Sequence, residues 1–287
     1  MIAVLKHELK NYFHSFTAYV FGAFLLAIVG IGSMLYNLQA AVSNFEYVLS
    51  FGTIIFVVIV PILTMRVIAE ERKQKTDQLL YSLPITTTQV ILGKYLALLV
   101  IYLIPLAIIS TYPLIFAQFG DVYLPTSYGS LVAIFIMGAA LVALGVFISC
   151  LTDNQGLAAG IGIAVILFNY YSVSLSEYVS STSFGSAVAL ALLALALGAV
   201  VRYLTRNEWL AWGVSFVLLA AISGVALLQP DVLEGLLPKI MRQLSLFDRF
   251  NTFVSGVFDL TAIVYYLSVI VFFLFLSVQS LEKRRYN

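Results

Sequence analysis

The chain has 287 residues, 62% of them hydrophobic and only 10% charged, with a mean hydropathy of +1.02. Soluble domains run at about 45–50% apolar and about 25% charged, so an ordinary soluble domain is excluded. The net charge of +1 says nothing about partners, because its distribution matters more than its sum; no nucleic acid is expected as a partner.

The few charges are clustered. Eight stretches lack Asp, Glu, Lys and Arg altogether: 11–45, 47–65, 95–120, 122–152, 154–176, 178–201, 209–230 and 260–281. Most approach or exceed the roughly 20 residues that cross a bilayer as a helix. A charge at the centre of such a helix costs about 2.5–3.5 kcal/mol on the insertion scale, which gives the gaps a physical cause. The expected fold is all-α: a polytopic helical membrane protein with about eight transmembrane helices. It reads as one transmembrane domain over 1–287.

Residues 1–16 place Ile2, Leu5, Leu9, Tyr12, Phe13 and Phe16 at three- and four-residue intervals, with Lys6, His7, Lys10, Asn11 and His14 between them. This spacing predicts an N-terminal amphipathic helix lying in the membrane interface, with lipid headgroups beside the two histidines. The first apolar run is too long for a signal-peptide core and is read as a retained span. Spans follow at 17–37, 47–65, 90–117, 128–150, 156–176, 184–201, 209–228 and 260–281. The sixth and seventh carry Arg202, Arg206 and Glu208 between them, which suggests a tight hairpin. The alternative is six spans plus re-entrant helices within 178–230. The segment 229–259 mixes Pro and Gly with Leu236, Ile240, Leu244, Phe247, Phe250 and Phe253, and predicts an external loop with short helices.

Threading eight spans from a cytoplasmic N-terminus puts 12 of the 15 Lys and Arg residues inside and leaves Lys239, Arg242 and Arg249 outside. That is the positive-inside bias, and it predicts both termini in the cytoplasm of a bacterial cytoplasmic membrane. The lone Cys150 cannot form an intrachain disulfide and is read as a packing residue. Gly138, Gly145 and Ser149 on the fourth span, and Gly156 and Gly160 on the fifth, are small residues at helical spacing. They predict close helix approach, within one chain or along a dimer interface or lateral opening.

Between the second and third spans lies the densest charge: residues 66–94, a predicted cytoplasmic segment containing Glu70, Glu71, Arg72, Lys73, Lys75, Thr76, Asp77, Leu79, Leu80 and Pro84. Pro84 ends any helix there, and Thr86, Thr87 and Thr88 are suitable caps for the next. A loop needed only to set topology has no use for interleaved acids and a Leu-Leu pair. A short charged element with apolar contacts on one face of a membrane protein fits being gripped by another protein. A second polar turn, containing Thr152, Asp153 and Asn154, is either a second contact of that kind or a helix cap.

Met65-Arg66, Ala69-Glu70-Glu71-Arg72, Thr76, Leu79-Leu80, Leu83-Pro84 and Gly93-Lys94 together resemble the permeases of type-2 ABC transporters, in particular the gliding-motility and copper-enzyme-maturation types. Lys6-x-Glu8-Leu9-x-x-Tyr12-Phe13 resembles their opening interfacial helix. Phe250-x-x-Phe253-x-x-Gly256-Val257-x-Asp259-Leu260, with Arg284-Arg285 after the last span, resembles their closing segment. The resemblance implies a coupling helix after the second span, docked on a separate cytoplasmic ABC ATPase. By position it would contain Glu70, Glu71, Arg72, Thr76, Asp77, Leu79, Leu80 and Pro84. It also implies a second permease subunit, identical or related. Lys75 and Gln78 depart from the family's usual Gly and Glu. Charge reversal at Glu71 and Arg72 is then expected to spare insertion while uncoupling the ATPase.

The sequence has no Gly-rich phosphate loop ending in Lys-Ser/Thr, so ATP hydrolysis is expected on a separate subunit and this chain is not expected to be an enzyme. No catalytic residues, metal ligands or cofactors are predicted. An ion-coupled secondary transporter would want ionisable groups at span centres, which are lacking. A non-transporting scaffold that recruits a soluble partner through 70–84 stays open as the other alternative.

Overall fold

The computed structural model describes residues 1–74, 86–179, 182–205, 208–228 and 234–286. The described chain is helical, with no strand among the described residues. It divides into two compact units, Met1–Tyr170 with Leu246–Asn287, and Tyr171–Ser245.

In the first unit, α1 (Ile2–His14) precedes α2 (Phe16–Ser33), which continues as a π-helical turn through Gln39. The second span is made of α3 (Phe45–Gly52), a short 3₁₀ turn and α4 (Phe56–Thr64), and α5 (Ala69–Lys73) follows it. The third span is α6 (Thr87–Ile109), extended by the short α7 (Tyr112–Phe116). The fourth, α8 (Leu124–Leu151), is the most enclosed of the spans, and α9 (Gln155–Tyr178) is the fifth. Six helical stretches among the described residues are long and apolar enough to cross a membrane: Phe16–Gln39, Phe45–Lys73, Thr87–Phe116, Leu124–Leu151, Gln155–Tyr178 and Leu260–Lys283.

The core of this unit forms because α8 offers small residues where its neighbours offer large ones. Tyr102 of α6 lies against Gly138, where an added Cβ would come within 2.6 Å of the ring. Its hydroxyl donates to the Ile134 carbonyl at 2.7 Å. Phe21, Phe56 and Phe135 surround it with ring centroids 5.7–6.1 Å away. Gly145 meets Thr64 of α4 still more closely, at 2.3 Å for a Cβ built there. The fourth-span glycines therefore pack within the chain. Gly160 has open space beside it.

At the far end of the first unit, α13 (Leu246–Val254) buries Leu246, Phe247, Phe250 and Phe253. Asn169 Oδ1 accepts from the Leu246 N–H at 3.0 Å, and Tyr266 donates to the Leu246 carbonyl at 2.8 Å. Ser130 donates to the Phe253 carbonyl at 3.2 Å. Backbone groups away from helix ladders are thus met by side chains, as an apolar setting demands. Asp259 accepts from the Thr261 N–H at 2.8 Å and caps the last helix, α14 (Leu260–Tyr286); those hydrogen bonds hold its carboxyl below the usual carboxylate range. Glu46, 3% exposed, was not singled out from sequence. It accepts from Asn44 Nδ2 at 2.7 Å and from Ser127 Oγ at 3.3 Å.

The second unit contains α10 (Ser183–Thr205) and α11 (Glu208–Leu228), which pack on each other at the positions read as the sixth and seventh spans. Their described apolar stretches are Gly185–Leu195 and Trp212–Gly224. Arg202 pairs with Glu208 at 2.5 Å. Both partners are exposed, so the pair adds little stability. The amphipathic α12 (Leu236–Leu244) begins after Gly235, whose φ of +63° suits glycine. Its Arg242 donates to Ser176 Oγ at 3.1 Å.

Candidate functional site

The charged segment after the second span is built into one end of the first unit. Three elements converge there: α1, the stretch 65–74 that includes α5, and the N-terminal turns of α6. The last turn of α8 closes the group. Gly93 of α6 lets α1 approach until Val4 would sit 3.0 Å from an added Cβ. At that distance Lys94 Nζ reaches Glu8 of α1 and Glu71 of α5, each at 2.7 Å. The lysine side chain is 2% exposed, that of Glu8 11% and that of Glu71 24%. An isolated ammonium at such a site would be strongly disfavoured, so two carboxylates compensate one cation.

Tyr12 of α1 donates to the Leu63 carbonyl at 3.4 Å, which pins the helix to the end of the second span. Its burial, reinforced by the Glu8 charge, raises the phenol's pKa well above its ordinary value, and it stays a neutral donor. Arg66 reaches Thr17 Oγ1 at 3.3 Å. Ser149 of α8 then acts as a cap supplied from another helix. Its hydroxyl accepts from the N–H groups of Ile68 and Ala69 at 3.1 and 3.2 Å and donates to the Met65 carbonyl at 3.2 Å. The first N–H groups of a helix have no partner within it, and one buried serine satisfies two of them.

Arg72, 6% exposed, turns back to the end of α8. It donates to the Cys150 carbonyl and lies 3.8 Å from Asp153, whose side chain is 60% exposed. Ser280 of α14 donates to the same carbonyl at 3.2 Å. Thr87 donates to Glu282 Oε1 at 2.8 Å, joining α6 to α14. Glu70 is half-buried and accepts from Gln74 at 3.3 Å, while Lys73 and Gln74 are exposed.

Of the positions picked from sequence, Glu70, Glu71 and Arg72 are therefore brought together with Asp153 around the roots of three spans. Thr76, Asp77, Leu79, Leu80 and Pro84 lie outside the described residues. At the second turn, Asn154 Oδ1 accepts from Gly156 and Leu157 N–H groups at 2.9 and 3.4 Å, and Thr152 Oγ1 accepts from the Asn154 N–H at 3.1 Å. That is helix capping of α9. Thr86 caps α6 through a reciprocal box with Gln89, at 3.3 and 3.4 Å. Sequence reasoning missed the burial of Glu8 and Lys94. The available signal was a carboxylate four residues from Val4 and from Tyr12, on the packed face of α1. Among the described residues no group of three or more His, Cys, Asp or Glu is placed to hold a metal ion.

Helices of this length, packed through small residues and carrying their charges at helix ends, define a polytopic membrane protein with a charged, structured segment at one end. The family model described as "ABC-2 family transporter protein" matches residues 25–176, more than half of the 287, and the chain belongs to that family. It is thus a multi-pass membrane permease of the ABC-transporter type, a transport subunit rather than a catalytic one, from a family that implies an ABC ATPase and pairing of permeases in general. The match contains both the 66–94 segment and the turn at 152–154, and stops short of the closing segment after residue 240. No curated protein and no solved structure matches the chain.

Proposed function

We propose that this permease is driven by a separate cytoplasmic ABC ATPase that grips residues 70–84, and that it works as an exporter paired with a second, identical or related permease. It sits in a bacterial cytoplasmic membrane with both termini inside. The observation that carries this reading is the anchoring of the segment's root. Through Glu71, Arg72 and the Ser149 cap, the stretch 65–74 is tied to α1, α6 and α8 at once. A push that reaches 65–74 is therefore passed to α1 and to two transmembrane helices, α6 and α8. The family membership and the excess of basic residues at the predicted inner ends support the same assignment.

The roles within the segment divide by exposure. Glu71 and Arg72 hold the root in place, and the exposed Lys73 and Gln74 are available to the ATPase. Charge reversal at Glu71 and Arg72 thus disturbs packing as well as docking, and is a poor probe of coupling alone. Ion-driven transport is disfavoured because buried Lys94 and Glu46 lie within about two turns of a helix start, away from span centres.

The contact is tested by placing a photo-crosslinking amino acid at Lys73 or Gln74 in cells that make the partner ATPase. A covalent adduct with the ATPase at both positions is expected, with none at Lys239. Adducts at Lys239 alone, or at none of the three, would refute the docking assignment.

A further inference from the structure

We propose that the outward face of α1 is a binding surface for anionic phospholipid headgroups in the leaflet at this end of the bundle. The helix has two chemically distinct faces. Val4, Glu8 and Tyr12, four residues apart, turn toward α6 and the end of the second span. Lys6, Lys10 and His14, also four residues apart, are exposed together with His7.

Sequestration of the acid makes the outward face basic. Glu8 is the helix's one acidic residue, and it is committed to buried Lys94 at 2.7 Å. Counted from sequence alone, it would offset one of the two lysines; in the fold it offsets neither. Among the described residues neither Lys6 nor Lys10 has an acidic partner.

Apolar groups beside the lysines place them at headgroup depth. Ile2 is 68% and Phe16 85% exposed, and Phe13 packs edge-on against Tyr19 at 6.2 Å. One extended residue, Ser15, separates α1 from the first span, so the helix cannot stand far from the bilayer boundary. Exposed aromatics at a span entrance beside uncompensated lysines fit an interface that carries negative headgroups.

The test uses the full chain in phosphatidylcholine vesicles containing phosphatidylglycerol. Phe13→Trp is the reporter, on a background of Trp209→Phe and Trp212→Phe. Quenching by brominated phosphatidylglycerol and by brominated phosphatidylcholine gives the relative association of the two headgroups beside α1. The expected preference for phosphatidylglycerol is about fivefold per lysine, roughly 25-fold for the pair. It should weaken steeply as salt rises. Lys6→Gln with Lys10→Gln should bring it close to unity, while Lys239→Gln leaves it unchanged. Equal quenching by both lipids in the parent chain would overturn the proposal. So would a preference that survives loss of both lysines, and the basic face would then be left for an acidic protein partner.

Discussion

Replacing Lys94 with Met should destabilise this permease more than any other single charge removal. The substitution leaves Glu8 and Glu71 facing each other, largely out of water, with no cation between them. Breaking a buried pair by removing one partner costs about 3–5 kcal/mol. For a chain of this size that corresponds to a fall of roughly 10 °C in the thermal midpoint in detergent. The three-charge arithmetic makes the prediction discriminating. With Lys94 present, two carboxylates and one ammonium sum to −1; Glu71→Gln or Glu8→Gln brings the group to zero, and Lys94→Met takes it to −2. Glu71→Gln should therefore cost little, because its side chain is also the most exposed of the three at 24%. Adding Glu8→Gln and Glu71→Gln to Lys94→Met should recover most of the loss. A Lys94→Met chain that melts with the parent, or a triple variant no better than the single, would show that the cluster carries no such weight.

Gly145→Val should rank next. Even an alanine Cβ at position 145 would lie 2.3 Å from Thr64 Oγ1 and 2.9 Å from two Thr64 carbons. Thr64 is 1% exposed, and its hydroxyl donates to the Val60 carbonyl at 2.9 Å. It cannot swing into solvent, so α4 and α8 must separate. Overpacking of this kind costs about 1–3 kcal/mol and sometimes more. Gly145→Ala should show a smaller loss of thermal stability, and Thr64→Ala should relieve part of it by removing the hydroxyl and the methyl. If Gly145→Val leaves the midpoint unmoved, the close approach of the second and fourth spans is wrong. Gly160, beside open space, should accept alanine without such a penalty.

The fold was legible because the bilayer enforces it locally. Charge-free runs mark the spans, Thr86 marks the start of α6, and Asn154 marks the start of α9; each signal lies within a few residues of its effect. The short helices around Phe247, Phe250 and Phe253 were legible for the same reason, as Pro and Gly interrupt an otherwise apolar stretch. What the sequence hid is long-range. Nothing near Glu8 in the sequence points to Lys94, 86 residues later, as its partner at 2.7 Å. Ser149 reads as one more small packing residue until its hydroxyl is found capping α5 across 80 and 81 residues of chain. Glu71 and Arg72 read as docking charges because a charged cluster in a hydrophobic chain suggests solvent, and their contacts with Lys94 and the Cys150 carbonyl come from 23 and 78 residues away. Periodicity orients a helix but does not say which polar residue on its inner face has found a partner.

The proposed coupling is measured most directly by reversing charge at Lys73 and Lys75. The complex of this permease with its ATPase, reconstituted in vesicles, is compared with a variant carrying Lys73→Glu and Lys75→Glu. Membrane insertion and thermal stability should be unchanged, since Lys73 is exposed and makes none of the root contacts. ATP hydrolysis stimulated by the permease should fall at least about tenfold, as expected when about 1.4 kcal/mol or more of docking energy is lost. Full stimulation by the doubly reversed variant, with assembly intact, would contradict the assignment of residues 70–84 as the place where the ATPase drives this permease.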